Sequence, residues 1–139
     1  MMYLLDTNVI SELRKQTSGK ADTNVVAWAK SVPADSLYLS VITIMELEMG
    51  ALSIQRKDSR QGNLLRLWLA TQVIPSFSGR TIPIDVPIAQ CCASLHIPDP
   101  RSERDALIAA TAIVNGMTVV TRNLTDFEPT GVKILNPWF

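Results

Sequence analysis

The chain has 139 residues, of which 47% are hydrophobic and 19% are charged. This composition excludes an intrinsically disordered protein and predicts a single compact domain over residues 1–139. Lys and Arg together number 13, as do Asp and Glu, so the formal net charge is zero. Bulk electrostatic attraction to nucleic acid is therefore not expected, although a local site can still act on it.

Short β-rich segments that lie at the chain start or after turn residues predict five strands: Met2–Leu5, Leu37–Ser40, Thr81–Ile84, Thr118–Thr121 and Val132–Leu135. Helical patterns lie between them, at Asn8–Arg14, Thr23–Lys30, Thr43–Gln55, Arg60–Ile74, Val86–Leu95 and Glu103–Asn115. Pro83 has no N–H to donate, so the third strand is expected at a sheet edge. Gly116 is expected to end the last helix. This alternation predicts an α/β domain with a mostly parallel sheet.

The remaining composition limits the cellular setting and the chemistry. No apolar run approaches the roughly 18 residues of a membrane helix, and the N-terminus lacks the basic region of a signal peptide. Cys91 and Cys92 are adjacent, which suits neither an ordinary disulfide nor a CxxC metal site. We therefore expect a cytoplasmic protein. His96 is the single histidine, and this excludes most zinc sites.

Acidic residues in apolar surroundings are the most informative feature of the sequence. Asp6 ends the first predicted strand, and Asp126 lies in the loop after the fourth. Glu46 and Asp105 are expected in the first turns of two helices. In a parallel α/β sheet, strand ends and helix starts lie at the same edge, where such folds bind ligands. The sequence therefore predicts four converging carboxylates.

Four carboxylates at close range repel one another and need a counter-charge to stay ionised. The matching cation is hard and prefers oxygen ligands, which predicts Mg²⁺ or Mn²⁺. A carboxylate-held Mg²⁺ binds phosphate oxygens and activates water, so the expected chemistry is phosphodiester hydrolysis.

Structural roles also fit each acid by itself. The run from Thr43 to Glu46 matches the capping box S/T-x-x-E, and the run from Ser102 to Asp105 is close to it. Asp6 suits a helix cap, and Asp126 suits an Asx turn. A non-catalytic interaction module, in which the acids only cap helices, therefore remains an alternative.

Neighbouring polar and basic residues have two readings as well. Four polar residues could orient the acids or could be ordinary helix-cap and turn residues: Thr7, Asn8, Thr121 and Asn123. Three arginines flank the acidic edge and suit either phosphate contacts or solvent: Arg101, Arg104 and Arg122.

Four motifs in order resemble the PIN-domain proteins, specifically the VapC and FitB toxins of type II toxin–antitoxin modules. They are Leu4–Glu12 (LLDTNVISE), Ser40–Gly50 (SVITIMELEMG), Asp105–Ala112 (DALIAATA) and Thr121–Phe127 (TRNLTDF). The resemblance covers nearly the whole chain, and Asn136-Pro137-Trp138 is similar to the FitB-type tail. Glu48 lies near Glu46, but the motif position matches Glu46.

The resemblance implies a three-layer α/β/α sandwich with a five-stranded parallel sheet. It implies a Mg²⁺- or Mn²⁺-dependent endoribonuclease whose catalytic and metal-binding acids match Asp6, Glu46, Asp105 and Asp126. It also implies a homodimer and a cognate VapB- or FitA-like antitoxin. Operator DNA is then expected to be bound only through the antitoxin complex, which is consistent with the neutral charge of this chain.

An Asp-nucleophile phosphatase of the haloacid-dehalogenase type is a further alternative, because Asp6 ends a strand. That family carries D-x-D-x-[TV], and the third position here is Asn8, which counts against it.

Overall fold

The fold is described from a computed structural model that covers all 139 residues. Its five strands are β1 (Tyr3–Leu5), β2 (Leu37–Ser40), β3 (Thr81–Ile82), β4 (Thr118–Val120) and β5 (Ile134–Leu135). The longer helices are α1 (Thr7–Arg14), α2 (Thr23–Ser31), α3 (Val41–Lys57), α4 (Ser59–Trp68), α6 (Val86–Leu95) and α7 (Glu103–Asn115). The short ones are α5 (Ile74–Ser76) and α8 (Leu124–Phe127), and a π-helical turn, Leu69–Val73, joins α4 to α5.

The strands form one parallel sheet in the order β3-β2-β1-β4-β5. This confirms the predicted α/β class, the five strands and the edge position of the third strand, although that strand ends at Ile82 and does not include Pro83. The chain moves outward from β1 to β2 and β3, and then crosses back to β4 on the other side of β1. This reversal of the strand order opens a crevice between the carboxyl ends of β1 and β4, and open α/β sheets bind ligands in such crevices.

Successive residues of a strand face opposite sides of a sheet, and this alternation produces two cores. Leu5 and Val120 pack on one face with α1, α2 and the π-helical turn. Leu4 and Val119 pack on the other face with α7. Helices therefore cover both faces, as in the predicted three-layer sandwich.

Local signals set most helix boundaries. Asp6, Asp22, Ser40, Asp58 and Asp85 each accept a backbone N–H at the start of a helix. Gly116, at φ +66°, ends α7 as predicted, because glycine adopts the left-handed region without strain.

Two helix predictions need correction. The single helix expected over Arg60–Ile74 is interrupted after Trp68 by the π-helical turn. The helix expected over Thr43–Gln55 begins earlier, at Val41, because Ser40 caps it. No helix is both long and apolar enough to span a membrane.

Candidate active site

Asp6 follows β1 directly and lies at the centre of the crevice. The backbone N–H of Asp6 donates to the carbonyl of Val120 at 2.9 Å, so the end of β1 is fixed against the end of β4. Asp6 Oδ1 accepts from the Thr7 N–H at 2.8 Å. Its Oδ2 accepts from Thr121 Oγ1 at 2.8 Å and from Asn8 Nδ2 at 3.3 Å. Asp6 therefore caps α1, as the structural alternative expected, while its second oxygen is oriented by residues of the crevice.

Asp6 is a buried acid without a basic partner. The residue is only 5% exposed, and no Lys or Arg forms an ion pair with it. Burial raises the pKa of Asp6 to about 6, against the opposing hydrogen bonds from Thr121 and Thr7. The charges of Glu46 and Asp105 make smaller contributions to this increase. The neighbouring acids therefore lie close enough to interact with Asp6, and none of its neighbours compensates its charge.

Glu46 lies in the second turn of α3, and the prediction of a first-turn position was wrong. Ser40 Oγ accepts the Ile42 N–H at 3.0 Å and starts the helix, so the capping box proposed for Thr43 and Glu46 does not form. Glu46 instead reaches across to α1, where its Oε1 accepts from Thr7 Oγ1 at 2.7 Å. Its Oε2 lies 3.6 Å from Arg104 Nη1.

Glu48 faces elsewhere, since it pairs with Arg66 of α4 at 2.9 Å. Glu46 is therefore the α3 acid that faces the site, in agreement with the motif assignment.

Asp105 lies in the first turn of α7, as predicted. Burial raises the pKa of this carboxyl, and the charges of Asp126 and Glu46 add to the increase. A hydrogen bond from Ser102 and the charge of Arg104 act in the opposite direction. Ser102 makes no side-chain bond to the helix backbone, so this second capping box does not form either.

Asp126 lies in the short helix α8 and not in a loop as predicted. It is exposed, although its charge still raises the pKa of Asp105. The structure therefore places Asp6, Glu46 and Asp105 in the lining of one cleft and leaves Asp126 outside that lining. No three acidic side chains converge closely enough, as they stand, to enclose a metal ion.

These residues surround an open cleft of about 400 Å³. Its lining residues are Asp6, Thr7, Asn8, Ser11, Glu12, Lys15, Glu46, Asp105, Arg122, Asn123 and Trp138. A larger cavity of about 530 Å³ lies beside α2, but no acidic residue lines it and its only charged residue is Lys30. The acidic cleft is therefore the candidate site.

Sequence reasoning did not assign a site role to Ser11, Glu12, Lys15 or Trp138. Asn8, Glu12 and Lys15 follow the spacing of one helical face, and this signal was available in the sequence. Trp138 follows β5 in a segment without periodicity, so only the fold brings it to the cleft.

Comparison with known proteins identifies the class. A family model described as the PIN domain matches residues 3–130. Together with the parallel sheet and the acidic crevice, this match means that the chain belongs to the PIN-domain family.

Relatives that align over nearly their whole length show which PIN-domain proteins this chain resembles. The VapC ribonuclease Y4jK of Sinorhizobium fredii is 37% identical over 142 residues, covering 99% of this chain and 98% of the relative. The toxin FitB of Neisseria gonorrhoeae is 37% identical over 143 residues, covering 99% of both. A structure of FitAB bound to an IR36 DNA fragment superposes with a TM-score of 0.86 at 34% identity, covering 99% of this chain and 96% of that one. The predicted resemblance to the VapC and FitB toxins is confirmed.

Proposed function

We propose that this chain is a metal-dependent endoribonuclease that hydrolyses RNA phosphodiester bonds, and that it is the toxin of a type II toxin–antitoxin pair. The proposal depends on Asp6, a buried carboxylate at the crevice that three donors orient and no basic side chain neutralises. A carboxylate in this setting is costly to ionise unless a cation binds beside it.

The side chains of the cleft fit Mg²⁺ or Mn²⁺, since its acidic groups offer only hard oxygen donors. Asp6, Glu46, Asp105 and Asp126 would hold the ion. Once bound, it would supply positive charge that activates water and stabilises the leaving oxygen of a phosphodiester. The Glu46 side chain is 21% exposed and Asp126 is exposed, so both have room to reorient towards an incoming ion.

The chain's own contribution is to orient these acids. Thr121 and Asn8 fix the second oxygen of Asp6, and Thr7 fixes Glu46 from the first residue of α1. Burial protects Asp6 from bulk water and strengthens its interaction with any cation that enters.

Several partners belong to the same proposal. The relative FitB is named as a toxin, and a FitAB complex has been solved with DNA. By analogy, we infer that this chain, as a single domain over residues 1–139, pairs with a VapB- or FitA-like antitoxin and forms a homodimer. Its zero net charge is consistent with an antitoxin that supplies the operator contacts. Two free cysteines are consistent with action in the cytoplasm.

The test is cleavage of RNA by the purified chain with Mg²⁺, with Mn²⁺ and with EDTA. Asp6→Asn removes a ligand charge at nearly constant shape and should abolish cleavage. Asp35→Asn is the matched control, because Asp35 is exposed and precedes β2 at the opposite edge of the sheet. Cleavage retained by Asp6→Asn would refute the assignment.

The same preparation separates the alternatives. A non-catalytic module would show neither cleavage nor a rise of the melting temperature with Mg²⁺, because a ligand that binds only the folded state must stabilise it. An Asp-nucleophile phosphatase would form an acyl-phosphate on Asp6.

A further inference from the structure

The cleft presents an electrostatic problem for the substrate of the proposed function. Four carboxylates line it, from Asp6, Glu12, Glu46 and Asp105, against two cations, Lys15 and Arg122. RNA carries one negative charge per phosphate, so its backbone needs a cation that the protein has not already neutralised.

Most nearby cations already have protein partners. Lys15 pairs with Glu12 at 3.3 Å, and Arg104 lies 3.6 Å from Glu46. Arg101 donates its Nε to the Leu95 carbonyl. Arg122 forms no ion pair. Of the two basic residues that line the cleft, Arg122 is therefore the one without a partner carboxylate.

The Arg122 guanidinium contacts the tail, which is the segment 136–139 that follows β5. Its central carbon lies 5.2 Å from the ring centroid of Trp138, a cation–π contact. Trp138 is fixed in turn, because its carbonyl accepts from Asn24 Nδ2 and its N–H donates to Asn136 Oδ1, both at 2.9 Å. The backbone N–H of Arg122 donates to Asn8 Oδ1 at 3.3 Å.

A cation–π contact does not use up the N–H groups of a guanidinium. These N–H groups then match two phosphate oxygens in a planar fork. Arg122 and Asp6 line the same cleft, so the guanidinium and the candidate metal ligand face the same space.

We propose that Arg122 binds a backbone phosphate of the RNA and that Trp138 is the positioning residue that holds its guanidinium at the cleft. The proposal rests on the ribonuclease function given above and adds to it the contact that brings a polyanion to an acidic site.

Binding is measured in EDTA by the fluorescence anisotropy of a labelled, mixed-sequence, single-stranded RNA over a salt series. Each phosphate contact on a single strand adds about 0.7 to the slope of log affinity against log salt. Arg122→Gln should lower the steepness of that slope by about 0.7 and weaken low-salt binding by about tenfold. Lys133→Gln is the matched control, because it removes an exposed cation at the amino-terminal end of β5, away from the cleft at the carboxyl ends of the strands. Its salt slope and affinity should equal those of the unmodified chain.

The tail variants test the positioning role. Trp138→Phe keeps an aromatic face and should retain more of the binding than Trp138→Leu, which should weaken binding in the same direction as Arg122→Gln. The double variant Arg122→Gln/Trp138→Leu should be no weaker than Arg122→Gln alone, because the ring acts through the arginine. In steady-state cleavage, Arg122→Gln should raise KM and leave kcat within a few-fold. Circular dichroism checks that every variant is folded.

The outcomes distinguish this contact from the ribonuclease function. An unchanged salt slope in Arg122→Gln, additive effects of the two substitutions, a loss confined to kcat or no RNA binding by the unmodified chain would each overturn the proposal. A chain that cuts RNA but shows the unchanged slope refutes this contact alone. A chain that never cuts RNA yet shows the Arg122-dependent slope refutes the ribonuclease function and retains the contact.

Discussion

Asp6→Asn should make the metal-free protein more stable at neutral pH, although it should abolish cleavage. The folded protein raises the pKa of Asp6 from 3.8 to about 6, and this difference corresponds to roughly 3 kcal/mol of unfolding free energy lost when the carboxyl ionises. Asn carries no charge, so the variant avoids this loss.

Part of the gain is offset by lost hydrogen bonding. Oδ2 of Asp6 accepts from Thr121 Oγ1 and Asn8 Nδ2, and the amide nitrogen that replaces it cannot accept. Thr121 Oγ1 already accepts from the Asn123 N–H at 3.0 Å and from Asn8 Nδ2 at 3.3 Å, so it cannot accept from the new amide. Its hydroxyl hydrogen therefore loses its acceptor, at a cost of about 1 kcal/mol, whereas the Asn8 amide keeps Thr121 as an acceptor. The net expectation is about 2 kcal/mol of stabilisation, or an increase of about 6 °C in the melting temperature.

The pH dependence gives the sign of the effect. Between the unfolded and folded pKa values, the folded chain keeps the Asp6 proton that the unfolded chain has released. The unfolding free energy of the unmodified chain therefore falls as pH rises from about 4 to about 6 and stays lowered above that. The advantage of Asp6→Asn should be largest at neutral pH and disappear below about pH 4.

Urea unfolding in EDTA across this pH range measures the difference, with Asp35→Asn as the control for loss of one exposed carboxylate. Adding Mg²⁺ should stabilise the unmodified chain and leave Asp6→Asn unaffected. A variant that is less stable than the unmodified chain at neutral pH, or a stability difference that does not change with pH, would show that burial does not destabilise the Asp6 charge.

Further predictions concern the residues around Asp6 and the packing of α3. Thr7→Val removes the hydroxyl that holds Glu46 at 2.7 Å and should lower kcat about tenfold, whereas Thr7→Ser should keep most of the activity; equal rates for both would contradict the orienting role. Arg104→Gln frees a Glu46 oxygen from its 3.6 Å partner and should lower the Mg²⁺ concentration for half-maximal cleavage several-fold, as a metal titration will show. Gly62→Ala should destabilise the fold by about 2–4 kcal/mol in urea unfolding, because the new Cβ overlaps Gln55. Gly50→Ala, with nothing within 4 Å of its Cβ, should be neutral or slightly stabilising, and similar losses for both would argue against the overlap.

The sequence was sufficient to predict the parallel sheet and the position of most of the acids, because both follow from the alternation of strands and helices along the chain. Alternating strands and helices imply a parallel sheet, and a parallel sheet places strand ends and helix starts at one edge. Asp6 and Thr121 are 115 residues apart, yet this rule alone brings them together, and they lie 2.8 Å apart.

The errors arose where two local signals compete. Ser40 and Thr43 are both good N-cap residues, and tertiary packing decides between them. Ser40 caps the helix, while Thr43 is buried with its hydroxyl unpaired, so Glu46 moves one turn further into α3. Trp138 gave no local signal for its role, since its position depends on Asn24 of α2 and Arg122 after β4.

The strand order also determines when the cleft can form during synthesis. The first strand supplies Asp6, but one of its two neighbours in the sheet is the fourth strand, which leaves the ribosome much later, and Trp138 comes later still. A nascent chain lacks the Thr121 hydroxyl that orients Asp6 until a further 115 residues have been translated. The messenger, transfer and ribosomal RNAs that surround the growing chain therefore meet an unassembled site until the fourth strand has been made and paired with the first.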